Sequence, residues 1–179
     1  PKATIVKMAG RAGGGGNEFA SSCDMRFGLK GKTVINQMEV ALGILPGGTG
    51  TQRLPRLVGR GRAMEICLGS DDIDAETAAQ WGYLNRVFDS ANELDGFVDS
   101  LSKRIACWPA EAIALCKASI NNAEMPLSEG LLEEAFLFQQ TLRTKGAQQN
   151  MRKAMTLGLQ TREGELRMGE LCYDFAQAA

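Results

Sequence analysis

Four consecutive glycines, at residues 13–16, limit the folding of this 179-residue chain more than any other feature. The apolar, β-branched segment before them, ATIVKMAG, predicts a buried strand that runs to about Met8. The segment after them, NEFASSCD, fits one or two turns of helix. A glycine run leaves its backbone N–H groups unshielded, and a following helix places the positive end of its dipole there. The pattern therefore predicts a strand, a glycine loop and a helix, where the loop is either an oxyanion site or simply a flexible turn.

The remaining chain changes character near residue 90. Up to that point, short strand patterns alternate with helical patterns, as in α/β domains, and Asp74 is placed to cap one of the helices. Beyond it the pattern is helical only, with Pro109 at the first turn of one helix and Pro126 separating it from the next. We therefore expect an α/β part over residues 1–88 and a helical subdomain, suited to oligomerisation, over residues 89–179.

Composition excludes several classes of protein. Twenty Lys and Arg against 21 Asp and Glu give a net charge of −1, so we expect no nucleic-acid partner. No apolar run is long enough to cross a bilayer and the start lacks a signal-peptide pattern, so we expect a cytoplasmic protein without a membrane partner. Five cysteines without a C-x-x-C pair argue against a disulfide framework and a zinc site.

The chain has no histidine, which limits its chemistry further. Ser-His-Asp and Cys-His catalysis and His-ligated metal sites are excluded within the chain, and we expect no metal. Proton transfer is left to carboxylates, Lys, Tyr or Cys. Glu18 lies in the first turn after the glycines, where it could either act chemically or only complement the helix dipole. Glu39 is a lone charge beside an apolar stretch, either at the surface or in a pocket. Spacing alone does not say whether the two carboxylates meet.

A set of residues in register resembles the enoyl-CoA hydratase/isomerase (crotonase) family. The resemblance covers about residues 3–120 and rests on Gly10-x3-Gly14-Gly15-Gly16-x-Glu18, Cys23-Asp24, Glu39-x3-Gly43-Ile44-x-Pro46-Gly47, Gly50-Thr51-Gln52-Arg53-Leu54-Pro55-Arg56-Leu57-Val58-Gly59, Gly69-x2-Asp72-x-Asp74-Ala75 and Gly82-x-Leu84-Asn85-Arg86-Val87. It implies an α/β fold, the crotonase-like spiral of repeated ββα units with its second half present, followed by an α-helical C-terminal subdomain.

The resemblance also implies roles for individual residues. Gly15, three positions before the first glutamate, corresponds to an oxyanion N–H donor, with Gly14 beside it. Glu18 and Glu39 correspond to the two glutamates that flank a single water in the family's hydratases. Glu18 would orient or deprotonate that water, and Glu39 would handle the proton on the carbon next to the carbonyl. Gly47 corresponds to a loop that lines the same pocket.

The activity implied is that of an enoyl-CoA hydratase in fatty-acid metabolism. The alternatives are a double-bond isomerase and a non-catalytic acyl-CoA-binding or assembly domain. The partner implied is an acyl-CoA thioester, with coenzyme A present only as part of the substrate and no permanently bound cofactor. The family further implies a homotrimer or a hexamer built as a dimer of trimers.

Two departures from the family pattern affect these expectations. Met38 stands before Glu39 where the family has proline, which predicts a less rigid loop. The family's first strands and helices, which supply the second oxyanion N–H and much of the coenzyme A contact, would precede Pro1. We therefore expect that a further N-terminal part belongs to the natural protein.

Overall fold

A computed structural model describes residues 2–177 of the chain. These residues divide into a first compact unit, residues 4–101, and a second unit formed mainly by the residues from 102 onward. The first unit contains the strands and the predicted site.

The strands of the first unit form two small sheets. In chain order they are β1 (Ile5–Met8), β2 (Arg11–Gly13), β3 (Met25–Leu29), β4 (Val34–Asn36), β5 (Ile73–Asp74) and β6 (Arg86–Phe88). One sheet has the order β1-β3-β6 and is parallel throughout. In the other, β2 pairs with β4 in parallel and β5 adds to β4 in antiparallel orientation. The strands of each of the pairs β1–β2 and β3–β4 thus join different sheets before a helix follows, and the predicted alternation of strand and helix is confirmed.

The helices of this unit lie between and after the strands. They are α1 (Gly15–Ser22), a 3-10 turn (Val40–Leu42), α2 (Gly50–Val58), α3 (Arg60–Gly69), α4 (Ala75–Gln80) and α5 (Ala91–Ala106), the last of which continues into the second unit. Gly59, at a φ of 83°, separates α2 from α3. Asp74 caps α4 as predicted, because its side chain accepts a hydrogen bond from the N–H of Thr77 at 2.8 Å.

Two apolar cores hold the first unit together. The larger joins the second sheet to α1–α4 and includes Met8, Ala20, Ile35, Leu54, Val58, Ile66, Ala78, Tyr83 and Leu84. The smaller lies under the parallel sheet, where Phe27 packs on Leu94 and Val98 of α5. The Phe27 and Phe97 rings meet edge to face with centroids 5.2 Å apart. This packing places most of α5 in the first unit, so the unit extends past the boundary expected at residue 88. Whether the two parts are separate domains stays a prediction.

The second unit is helical. It contains α6 (Ala110–Asn121), α7 (Leu127–Leu142), α8 (Lys145–Thr156), α9 (Arg162–Leu166) and α10 (Met168–Gln177). On α7 only Leu137 is buried, whereas large apolar side chains that include Leu132 and Phe138 are more than half exposed. Within residues 2–177, no helix is both long and apolar enough to cross a membrane.

Candidate active site

Glu18 is buried at the start of α1 and is held by a glycine loop. Only 7% of the residue is exposed. Its Oε1 accepts hydrogen bonds from the backbone N–H of Gly48 at 2.8 Å and of Gly50 at 2.9 Å. A Cβ atom added at Gly48 would lie 2.4 Å from Oε2 of Glu18. The loop can therefore approach the carboxylate this closely only because it carries glycine at that position.

Glu39 lies between β4 and the 3-10 turn and is half-buried. Its Oε2 accepts a hydrogen bond from Nε2 of Gln37 at 3.0 Å. Its Oε1 faces Gly14, since a Cβ atom added there would lie 3.0 Å from that oxygen. The backbone carbonyl of Glu39 accepts the N–H groups of Leu42 and Ile44, which fixes the main chain at this residue.

Residues that contact Glu18 lie close to residues that contact Glu39. A Cβ atom added at Gly50 would lie 3.0 Å from Oε1 of Glu18 and 3.3 Å from Nε2 of Gln37, which holds Glu39. Burial raises the pKa of the Cys67 thiol, and the negative charges of Glu39 and Glu18 raise it further. Gly50 therefore lies beside both Glu18 and the amide that holds Glu39, a relation that the spacing in the sequence could not establish.

The glycine run is divided between two elements, which corrects the expected glycine loop. Gly13 ends β2, where it pairs with Asn36 of β4. Gly14 turns the chain at a φ of 53°, and its N–H donates to the Asn36 carbonyl at 3.0 Å. Because Gly13 and Gly14 are held by their pairing with β4, no long glycine loop remains, and helix α1 already begins at Gly15. Gly15 is exposed in the first turn, where backbone N–H groups lack acceptors within the helix.

Gly47 lies in the loop predicted to line the pocket, but it is exposed, and among the described residues it donates no hydrogen bond to Glu18. A Cβ atom at Gly47 would meet only the carbonyl oxygen of Leu45, at 3.9 Å. The contact with Glu18 comes instead from Gly48 and Gly50, which the sequence analysis did not single out. The pocket-lining role of Gly47 stays a prediction.

Met38 occupies the position of the expected proline. Its terminal methyl lies against Gly13, where an added Cβ atom would be 2.9 Å from it. The carbonyl hydrogen bonds of Glu39 hold this loop although the proline is missing, so the side chain and backbone contacts give the loop a defined conformation.

A buried group of polar side chains lies behind Glu39, and the sequence analysis missed it. Asn17 donates from Nδ2 to Oε1 of Gln37 at 2.7 Å, and the hydroxyl of Tyr83 donates to Oδ1 of Asn17. All three side chains belong to residues with 0% exposure. Two features of the sequence could have pointed to members of this group. Asn17 immediately precedes Glu18, and Gln37 stands two positions before Glu39. Nothing in the spacing pointed to Tyr83.

Within residues 2–177, no group of three or more Cys, Asp and Glu side chains is placed to hold a metal ion.

Comparisons with known proteins decide the family. The sequence model of the enoyl-CoA hydratase/isomerase family matches residues 1–162. The chain belongs to this family. A probable enoyl-CoA hydratase, echA8, from Mycobacterium bovis is 36% identical over 149 residues, which are 83% of this chain and 57% of that protein. The mitochondrial enoyl-CoA hydratase of Pongo abelii is 36% identical over 151 residues, 84% of this chain and 51% of that protein.

Solved structures of the hydratase/isomerase family share the fold. The crystal structure of an enoyl-CoA hydratase from Bacillus anthracis matches with a TM-score of 0.79 and 31% identity, over 84% of this chain and 58% of that one. The predicted crotonase fold is thereby confirmed. The chain spans little more than half the length of the curated relatives it matches.

Proposed function

We propose that this chain carries the two proton-transferring groups of an enoyl-CoA hydratase, which adds water across the 2,3-double bond of an acyl-CoA thioester. One observation supports this most directly. Glu18 and Glu39 each have one carboxylate oxygen held by N–H donors. Among the described residues, the other oxygen of each carboxylate accepts no hydrogen bond, and Gly50 lies beside both Glu18 and the Gln37 amide that holds Glu39. This arrangement leaves two oxygens available to a water and a substrate carbon.

The geometry suggests a separate role for each carboxylate. Oε2 of Glu18 takes a proton from the water as its oxygen bonds to C3 of the substrate. The electron pair of the double bond moves to the thioester oxygen, which the N–H of Gly15 stabilises, and the loss of one such donor typically costs about 2.7–4 kcal/mol. Oε1 of Glu39 then supplies a proton to C2. The carboxylate pair gains one proton and loses one, so its total is unchanged.

We also propose a substrate, an assembly and a location for the full-length protein. Coenzyme A takes part only within the substrate, in fatty-acid metabolism, and no cofactor is bound permanently. The protein is a homotrimer or a hexamer, and the exposed apolar side chains of α7 support a helical contact between subunits. Light scattering on the full-length protein tests this assembly. We also propose a cytoplasmic location, which the bacterial relatives support, although other relatives are named mitochondrial.

Hydration of crotonyl-CoA by the full-length protein tests the reaction, followed as loss of the conjugated enoyl absorbance. Glu18→Gln removes the base without changing its size, and we expect kcat to fall by about 10²–10⁴-fold. The exposed Glu65 on α3 provides a matched control, since Glu65→Gln makes the same chemical change away from the site. Hydration that survives in Glu18→Gln at the level of the control contradicts the proposal.

The same preparations distinguish the two alternatives. An isomerase would convert a 3-enoyl-CoA into the conjugated 2-enoyl-CoA. This activity would be lost in Glu39→Gln and nearly unchanged in Glu18→Gln. A non-catalytic domain would bind a coenzyme A ester in isothermal titration calorimetry but would turn over neither substrate.

A further inference from the structure

The hydrogen bonds behind Glu39 form one chain with a single direction. The hydroxyl of Tyr83 donates to Oδ1 of Asn17, Nδ2 of Asn17 donates to Oε1 of Gln37, and Nε2 of Gln37 donates to Oε2 of Glu39. Oε2 of Glu39 accepts a hydrogen bond both when the carboxylate is ionised and when its proton lies on Oε1, so Gln37 must turn its nitrogen toward Glu39. The oxygen of Gln37 must then accept from Asn17, and the oxygen of Asn17 must accept from the Tyr83 hydroxyl. The orientation of each side chain in the series is thus fixed by the hydrogen bond to its neighbour.

Burial makes this orientation costly to change. Asn17, Gln37 and Tyr83 are fully buried. If one amide turned over, it would set two oxygens or two nitrogens against each other where water cannot replace the lost hydrogen bond. A chain of aligned hydrogen bonds also strengthens each of its members by polarisation.

The end of the chain at Tyr83 is fixed by Arg26. The guanidinium of Arg26 donates from Nε to the Tyr83 carbonyl at 2.7 Å and from Nη1 to the Cys23 carbonyl at 2.7 Å. It also lies over the Tyr83 ring, 5.4 Å from the centroid. Tyr83 is therefore tied to the residue that follows α1, the helix that carries Asn17 and Glu18.

We propose that Tyr83 and Asn17 are positioning residues that act through Gln37 to hold Oε2 of Glu39 and leave Oε1 as the oxygen that exchanges a proton with the substrate. The inference rests on the proposed hydratase function and deepens it. Oε1 is the oxygen that faces Gly14, the residue before Gly15 in the sequence. The carbonyl hydrogen bonds of Glu39 hold its main chain, whereas the hydrogen bonds that end at Gln37 orient its carboxylate.

Removing the Tyr83 hydroxyl tests this inference. In Tyr83→Phe, the Asn17 amide loses the donor that fixes its orientation and can turn, and Gln37 can then turn its nitrogen away from Glu39. We expect kcat for crotonyl-CoA hydration by the full-length protein to fall about tenfold, with KM within about twofold of the unsubstituted protein. Asn17→Asp replaces the donor to Gln37 with an oxygen and should lower kcat further.

A matched control separates positioning from simple destabilisation. Thr33 is also buried in the first unit, and its hydroxyl donates to the Met8 carbonyl and accepts from the Leu29 N–H, with no connection to Glu39. Thr33→Val should lower the melting temperature at least as much as Tyr83→Phe but keep kcat. In a Glu39→Gln background, Tyr83→Phe should cause no further loss, because its effect passes through that carboxylate.

The outcomes are distinguishable. Turnover by the unsubstituted protein, with Tyr83→Phe and Asn17→Asp no slower than Thr33→Val, overturns the inference and leaves the proposed function standing. An equal loss from Tyr83→Phe with and without Glu39→Gln also overturns it. An unsubstituted protein that binds but does not hydrate crotonyl-CoA overturns the proposed function, and the inference with it.

Discussion

Glu18 and Glu39 are held by two different kinds of support. The carboxylate of Glu18 accepts from the main-chain N–H groups of Gly48 and Gly50. The carboxylate of Glu39 accepts from the side chain of Gln37, which depends in turn on other side chains. A backbone N–H is present whatever side chain its residue carries, although a larger side chain can displace it, whereas a side-chain donor is lost with a single substitution.

The two supports should therefore fail in different ways. At Glu18, the danger is an added side chain that pushes the loop away from the carboxylate. At Glu39, the danger is the loss of one partner, which leaves a buried polar group unsatisfied and the carboxylate free to turn. Each support has a substitution that breaks it specifically.

The largest effect is expected at the support of Glu18. In Gly48→Ala the new methyl group would lie 2.4 Å from Oε2 of Glu18, so the loop or the carboxylate must move. Displacement of a reacting group by about 1 Å can cost about 10²-fold, and we expect kcat for hydration to fall by at least that factor. Gly61→Ala on α3 is the control, since a Cβ atom there meets nothing within 4 Å. Equal activity of the two alanine variants would show that the glycine loop does not set the position of Glu18.

A smaller effect is expected at the support of Glu39. Gln37→Met keeps the length of the side chain but removes the donor to Glu39 and the acceptor for Asn17. We expect kcat to fall by about 10–10²-fold, because Glu39 keeps its backbone position but not its orientation. The unpaired Asn17 amide should also lower the free energy of unfolding by about 1–3 kcal/mol, measured by urea denaturation. Unchanged kcat in a folded Gln37→Met protein would mean that Glu39 is oriented without the amide.

The sequence separation of the contacting residues explains which parts of each support could be predicted. Glu18 and Glu39 were found as candidates, and the order of strands and helices around them was predicted, because both rest on local patterns and on a family resemblance. The glycines that hold Glu18 lie some 30 residues away from it, so no local pattern marks that contact.

The contact between Tyr83 and Asn17 was harder still to predict. The two residues are 66 positions apart, and they meet only once α1 and the segment after α4 have packed against the same core. A tyrosine beside Gly82 gives no sign that its hydroxyl is buried against an amide. Phe27 and Leu94 are likewise distant in sequence, so no local pattern marks the packing of α5 on the parallel sheet.

The smallest effect concerns Tyr83 itself, and it appears only at alkaline pH. Burial raises the pKa of the Tyr83 phenol above its ordinary value of about 10. Above about pH 10 the unfolded chain therefore loses this proton while the folded protein keeps it, so stability falls as pH rises, by at most about 1.4 kcal/mol per pH unit. The contribution is intact below that pH. Urea denaturation at about pH 8 and about pH 11 should show a smaller alkaline loss in Tyr83→Phe than in the unsubstituted protein. An identical loss in both would mean that the hydroxyl ionises as readily in the folded protein as in water, and a phenol so exposed could not fix the orientation of the Asn17 amide.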